Sequence, residues 1–336
     1  MKSISLTLLV TSIALALTAC SAAPGQSPNP TNPPTIAPSA TEADMSGKLI
    51  GLVTFSGTDP SAMEVINIVQ GKAEAQGYRV QVVDANGQVD LANSALQNLV
   101  QAGAAAIGVT VFPSDSLGAG LSSAREAHVP VVTMGGGLAD GVTFNIDDSQ
   151  GQVVTQRLIE DMGGKGEVLT LTYLGGRPCQ LRLAAFEETV AAEAPDLKVT
   201  KQAITVPGQV ESATSATIAW LAAHPEGSSE NFAVYACFDD PALGAIAALK
   251  QDGRNDVKVY GFNGVAPALQ AVKEGTLTGT LWFDHLKIGD TFIEQLVRAI
   301  DDPGATPEDV LAPSVIVSAA NFDQFAAEHP EALKEG

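Results

Sequence analysis

Basic residues are scarce in this chain. Lys and Arg number 18 against 38 Asp and Glu, a formal net charge of −20 over 336 residues. That balance excludes nucleic-acid binding, which needs a basic face to displace condensed counterions. It fits a soluble surface that repels its own copies and keeps the chain monomeric. A trap for cations or cationic ligands is the second reading of the same charge. Histidine is scarcer still. His128, His224, His285 and His329 lie far apart, and none has a His, Cys or carboxylate at zinc spacing. No metal and no cofactor are expected, and His285, near the hinge, reads as a surface residue, with a place facing the cleft as the alternative.

Catalytic signatures are missing too. There is no G-x-S-x-G elbow and no Ser-His-Asp set. Gly135-Gly136-Gly137 lacks both the phosphate-loop pattern and the dinucleotide spacing. Asp84 to Asp90 alternates oxygen donors as a calcium loop does. Its sixth position is Val89 and its twelfth Ala95, so it reads as a strand-to-helix turn capped by Asp90. Nothing points to an enzyme. Cysteine is limited to three residues. Cys179 and Cys237 both follow predicted strands. Either they bridge in an exported protein, where disulfides persist, or they stay two buried thiols.

What is present begins with a targeting pattern. Lys2 is followed by a mostly apolar run over 4–17, too short for a comfortable membrane span. Leu17-Thr18-Ala19-Cys20 then looks like a bacterial lipobox, which implies cleavage before Cys20 and lipidation of its thiol. Residues 21–44 contain six prolines and no charge before Glu42. Such a segment favours extended conformations and reaches roughly 70 Å at about 3.1 Å per residue. The expected division is a signal peptide at 1–20 and a linker at 21–46.

From Lys48 the chain alternates strands and helices. Runs such as IGLVTF and VLTLTY are almost continuously apolar, as in parallel strands covered on both faces. The series restarts near residue 147, which predicts two α/β lobes. The stretch AVYACFDDPALGAIAAL (233–249) reads as strand, turn and helix, with Asp240 as N-cap and Pro241 in the first turn. Ligands of open parallel sheets bind at the strands' carboxyl ends. Phe238 and Asp239 are therefore placed in a site.

The order of these elements, with GKAEAQGYRV (71–80), NLVQAGAAAIGV (98–109), AREAHVPVVTM (124–134) and VYGFNGVAPALQAVKEGTLTGTL (259–281), resembles the type I periplasmic binding proteins, in the sugar-binding subgroup. The resemblance implies two doubly wound parallel-sheet lobes joined by a three-crossing hinge. The expected lobes are 47–146 plus 284–303 and 147–283 plus 304–336. It implies capture of a solute by lobe closure and delivery to an ABC transporter permease, with a ligand-sensing receptor as the alternative.

The site it implies is partly rewritten. Thr58 and Asp59 stand where polar residues precede a proline, but Ser61 and Ala62 replace two stacking rings. Gly135 and Gly136 replace an Asp–Arg pair. Arg182 and Asp239 match the family pattern. Phe238 stands for an asparagine, Asn263 for an aspartate, and Trp282 and Phe283 occupy the place of a glutamine. More aromatic and less charged surface suits flat or C–H-rich faces. A sugar-like polyol is expected; a nucleoside, a furanose or a small cationic metabolite stays open.

Overall fold

The computed structural model describes residues 47–229 and 231–334. The expected signal peptide, the Cys20 lipobox and the proline-rich linker lie outside the described residues. The chain runs β1 (Leu49–Thr54), α1 (Pro60–Ala75), β2 (Arg79–Asp84), α2 (Val89–Gln101), β3 (Ala104–Thr110), α3 (Gly118–Glu126), β4 (Val131–Met134) and β5 (Val142–Asp147). After the first crossing come α4 (Gly151–Met162), β6 (Gly166–Thr172), α5 (Arg177–Glu193), β7 (Leu197–Ala203), α6 (Gln209–Ala223) and β8 (Phe232–Ala236). They are followed by α7 (Asp239–Asp252), β9 (Val257–Asn263), α8 (Ala266–Lys273) and β10 (Gly279–Phe283). The chain returns through α9 (His285–Asp301) and β11 (Glu308–Leu311), then ends with β12 (Ser314–Ser318) and α10 (Phe322–Glu328).

Two six-stranded sheets result, in the orders β11-β5-β4-β3-β1-β2 and β12-β10-β9-β8-β6-β7. All pairings are parallel except β10 with β12. Burial follows position in the sheet. β1, β8 and β10 are buried along their whole length, whereas β2 and β7 at the edges alternate or stay open. Central strands are covered on both faces, which is why they read as unbroken apolar runs.

The third crossing corrects the expected boundary at 303/304. Glu308–Leu311 forms an edge strand of the first sheet, in register with Phe144–Asp147. Its acidic, half-polar sequence hid it, because an exposed edge tolerates charge that a central strand does not. The crossings are therefore 148–150, the junction of Phe283 with Asp284, and Ala312-Pro313. They are tied side by side: Ala312 N–H donates to the Asp147 carbonyl at 2.8 Å, and Asp284 N–H to the Pro313 carbonyl at 3.0 Å.

Two capping expectations also change. α2 opens at Val89 with Gln88 as N-cap, while Asp84 receives the Asn86 N–H at 2.7 Å. Asp90 lies in the first turn, where a carboxylate favours the helix dipole. α7 opens one residue early, with Phe238 at the N-cap and no side-chain cap. Asp240 instead accepts from Gln209 Nε2 at 2.8 Å.

Asp239 turns inward and ties three elements. Its carboxylate accepts the Val265 N–H at 2.9 Å and the Thr280 hydroxyl at 2.7 Å, joining α7 to the β9–α8 turn and to β10. It is not at the cleft surface, contrary to the sequence expectation. Burial pushes its pKa up to about 7, against the opposing pull of those two bonds.

α9 packs along α1, burying Phe292 and Leu296. Each such side chain contributes about 1.5–3 kcal/mol of burial. Gly289 is the contact point: a Cβ there would run into the Ile68 side chain. Gly289→Ala should cost about 1–3 kcal/mol by overpacking. Urea unfolding of Gly289→Ala with Ile68→Ala should show that the second change relieves part of the first. Strict additivity would contradict this packing.

Asp239 also sets a pH dependence. Unfolded, it releases its proton near 3.8; folded, it holds it to about 7. Between those values the native state binds more protons, so this residue's share of stability is lost as pH rises. Asn can keep both hydrogen bonds without titrating. Asp239→Asn should flatten the stability profile between pH 4 and 7, read from melts across that range. An unchanged slope would refute the assignment.

Candidate functional site

The carboxyl ends of the two sheets face each other across a cleft of about 520 Å³, counting its open mouth. The space free to water-sized occupants within it is about 40 Å³. Phe55 follows β1, Val111 β3, Asp148 β5, Tyr173 β6, Phe238 β8, and Asn263 ends β9; all line this space. The lobes are closed on one another. Arg177 N–H donates to the Val111 carbonyl at 3.1 Å, Gln209 Nε2 donates to the Thr58 carbonyl at 3.2 Å, and the Phe55 and Tyr173 rings meet edge-on at 5.7 Å.

Asp59 forms one wall. It caps α1, accepting the N–H groups of Ser61 and Ala62 at 3.1 and 3.2 Å, with Pro60 next in the helix. Such a cap satisfies donors the helix itself cannot reach. Burial pushes its pKa up to about 6, and the nearby Asp240 and Asp148 carboxylates push the same way. Among the described residues Asp59 has no ion-pair partner.

The opposite wall is built around Arg182 on α5, which is 2% exposed. Its Nε and Nη2 donate to the Asp148 carbonyl at 3.3 and 2.7 Å, and its Nη1 to the Cys237 carbonyl at 2.6 Å. The guanidinium lies over the Phe262 ring at 4.6 Å and the Phe283 ring at 5.5 Å. Asp148 Oδ2 stands 3.3 Å from Nη2, while its Oδ1 is buried without a partner. Burial raises the Asp148 pKa; Arg182 works against that rise. Cys179 and Cys237 form a disulfide with Cα atoms 5.2 Å apart. It fastens the start of α5 to the end of β8, the two segments that hold Arg182 in place.

The cleft therefore brings together Asp59, Arg182, Phe238 and Asn263. Asn263 adopts φ 99°, a left-handed conformation that asparagine tolerates. The other expected site residues lie elsewhere. Thr58 is exposed at the lobe contact. Gly136 packs inside the first lobe, where a Cβ would lie 2.9 Å from the Phe112 carbonyl oxygen and the Ser114 Oγ. Trp282 is buried beneath α10, against Phe325 at 5.1 Å and His329 at 4.5 Å. It points away from the cleft because side chains alternate along β10. Phe283, its neighbour, points the other way and supports Arg182. Gly135 lies just behind the cleft surface: a Cβ there would fall 2.8 Å from Asp148 Oδ1 and 2.8 Å from Pro178 Cγ.

Ser61, Asp148, Tyr173 and Gln209 line the cleft without having been singled out from sequence as polar site residues. Asp148 had a usable signal, a carboxylate directly after a strand end. Gln209 had none, since its role depends on lobe closure.

His285 is 5% exposed, not a surface residue as expected. Its Nε2 is 3.0 Å from Ser61 Oγ and its Nδ1 2.7 Å from Glu64 Oε2. The order Ser–His–Glu imitates a hydrolytic triad. However, the Asp59 carboxylate already occupies the Ser61 and Ala62 N–H groups at the helix start. A negative group sits where oxyanion donors would be needed.

Residues 50–305 match the model of the periplasmic binding protein domain. A xylitol-binding protein of Mycolicibacterium smegmatis is 28% identical over 250 residues, 71% of this chain and 68% of that protein. The ribose import binding protein RbsB of Escherichia coli is 28% identical over 246 residues, 70% of this chain and 79% of its own. Among solved structures, an ABC transporter solute-binding protein from Agrobacterium vitis with bound allitol superposes with a TM-score of 0.78 at 23% identity, covering 84% of this chain and 99% of that one. The match spans both lobes and the cleft between them, and the chain belongs to the periplasmic binding protein family, whose members bind solutes rather than transform them.

Proposed function

We propose that this protein is the lipid-anchored, extracytoplasmic solute-binding component of an ABC importer, and that its solute is a small sugar-like polyol. The observation that carries the reading is the closed cleft between the strand ends. It combines carboxylates and amides with the apolar faces of Phe55 and Phe238. Hydroxyls satisfy the polar groups, and C–H faces lie against the rings. The xylitol- and ribose-binding relatives support the same class of ligand. The hinge crossings allow lobe closure, and ligand contacts made only in the closed form stabilise it. The closed surface then offers a permease both lobes in fixed relation. The Leu17-Thr18-Ala19-Cys20 sequence supports an acyl anchor, and the following linker would let the lobes stand off the membrane.

Thermal melts of the protein with polyols, pentoses, hexoses and nucleosides test the ligand class. The ligand at 100 times its Kd should add about 2.7 kcal/mol of stability. Stabilisation by nucleosides alone would overturn the polyol reading. Arg182→Ala should weaken that ligand's binding by about a hundredfold, or 2.8 kcal/mol, by calorimetry. Wild-type affinity in the variant would place the ligand elsewhere. Cys20→Ala should move the protein from the membrane fraction to the soluble one, and retention at the membrane would refute the anchor.

A further inference from the structure

Three acceptor oxygens of the cleft have no protein hydrogen-bond partner among the described residues. Asp59 has one carboxylate oxygen free of protein partners, since only its Oδ1 serves the helix cap. Asp148 Oδ1 is unpartnered on a residue only 9% exposed. Gln209 donates both amide hydrogens to protein oxygens, to Thr58 and to Asp240, which fixes the orientation of its amide. Its Oε1 is left buried and unpartnered. Ser61 is oriented through His285. The Glu64 carboxylate can only accept, so Nδ1 carries a hydrogen, and in the neutral ring Nε2 accepts from the Ser61 hydroxyl. In that tautomer Ser61 turns lone pairs toward the cleft.

Arg182 commits Nε–H, both Nη2 hydrogens and one on Nη1 to Asp148 and to the Cys237 carbonyl. What remains is its other Nη1 hydrogen, the Asn263 amide and the Tyr173 hydroxyl, with Arg177 Nη1 buried and unpartnered beside Asp147. Charge is unbalanced in the same direction. Arg182 is offset by Asp148, Arg177 lies beside Asp147 and Asp148, and among the described residues no cation pairs with Asp59. Asp240 stands behind Gln209 and adds a further negative charge. A half-buried carboxylate with no counter-charge is costly.

We infer that the ligand carries a protonated amine as well as hydroxyl groups, an amino polyol or amino sugar, with its ammonium group on Asp59. This rests on the polyol reading above and refines it. An ammonium brings three donors and the missing positive charge to one point. The raised pKa of Asp59, about 6 with burial as its chief cause, is consistent with a carboxylate awaiting a cation. The groups facing it are Asp148, Asp240 and, through Ser61, His285, with Arg182 across the cleft committed to Asp148.

Isothermal titration of the full-length protein with matched pairs tests the inference: sorbitol against 1-amino-1-deoxysorbitol, and galactose against galactosamine. The amine should bind about tenfold tighter or more than its neutral partner at pH 7.5. Its affinity should fall about tenfold between pH 7 and 5, as Asp59 takes up a proton. Asp59→Asn keeps a good helix cap, so the variant should fold, and it should abolish the preference for the amine. Neutral members binding as tightly as the amines would overturn this inference and leave the polyol reading intact. Binding by neither member of any pair would overturn that reading and this one with it. A preference for the amine that survives Asp59→Asn would refute the placement of the charge.

Discussion

The closed cleft depends on one buried cation. Arg182 reaches from α5 to the first hinge crossing at Asp148 and to the end of β8 at Cys237, and it rests on rings from β9 and β10. Taking a guanidinium out of water is costly unless its hydrogens find oxygens in good geometry. Here they do, and the planar fork suits two carbonyls and a carboxylate better than an ammonium would. The consequence is mechanical. The group that offsets the charge of Asp148 also fixes the crossing on which the lobes turn. The disulfide between Cys179 and Cys237 anchors both ends of that arrangement from the side.

The first lobe answers with a different device. Asp59 is placed by the start of α1, and α1 is placed by its packing on α9, the helix that returns after the second crossing. His285, at the head of α9, reaches back to Ser61 and Glu64 of α1. The cleft wall, the hinge and the longest helix pair of that lobe are thus one hydrogen-bonded unit. Ligand contacts on Asp59 and Ser61 act on the same elements that move in closure. This gives a physical meaning to coupling between binding and lobe position.

Much of the fold was legible because its signals are local and repeated. Buried parallel strands leave apolar runs, and Asp59-Pro60 is a helix start by cap chemistry alone. The misreadings share a cause. Glu308–Leu311 is a strand only because β5 offers it an edge, so its own composition did not reveal it. Asp239 and Trp282 sit at the right strand ends but face away from the cleft. Adjacent residues at a strand end can turn to opposite sides, and a one-residue difference decides which. His285 looked like a surface residue because its partners, Ser61 and Glu64, are more than 200 positions away in sequence. Sequence placed Asp59, Arg182, Phe238 and Asn263 through the order of elements around them.

The exchange at Gly135 shows how a site can be rewritten without changing its scaffold. The resemblance predicted an Asp–Arg pair there and found two glycines, which suggested a loss of charge. In three dimensions the space that a side chain at 135 would fill is taken by the Asp148 carboxylate and by Pro178 from the facing lobe. A carboxylate has been supplied from the hinge crossing. Arg177 of α5 comes with it, its guanidinium packed against Gly137 and 3.8 Å from Asp147, while Arg182 is committed to Asp148. The glycine is needed because any Cβ would collide with both neighbours, so the loss of one side chain and the arrival of another are a single steric event. The result is a site whose charges come from the hinge crossing and the facing lobe instead of from the end of β4. That relocation of charge, more than the added aromatic surface, sets this site apart.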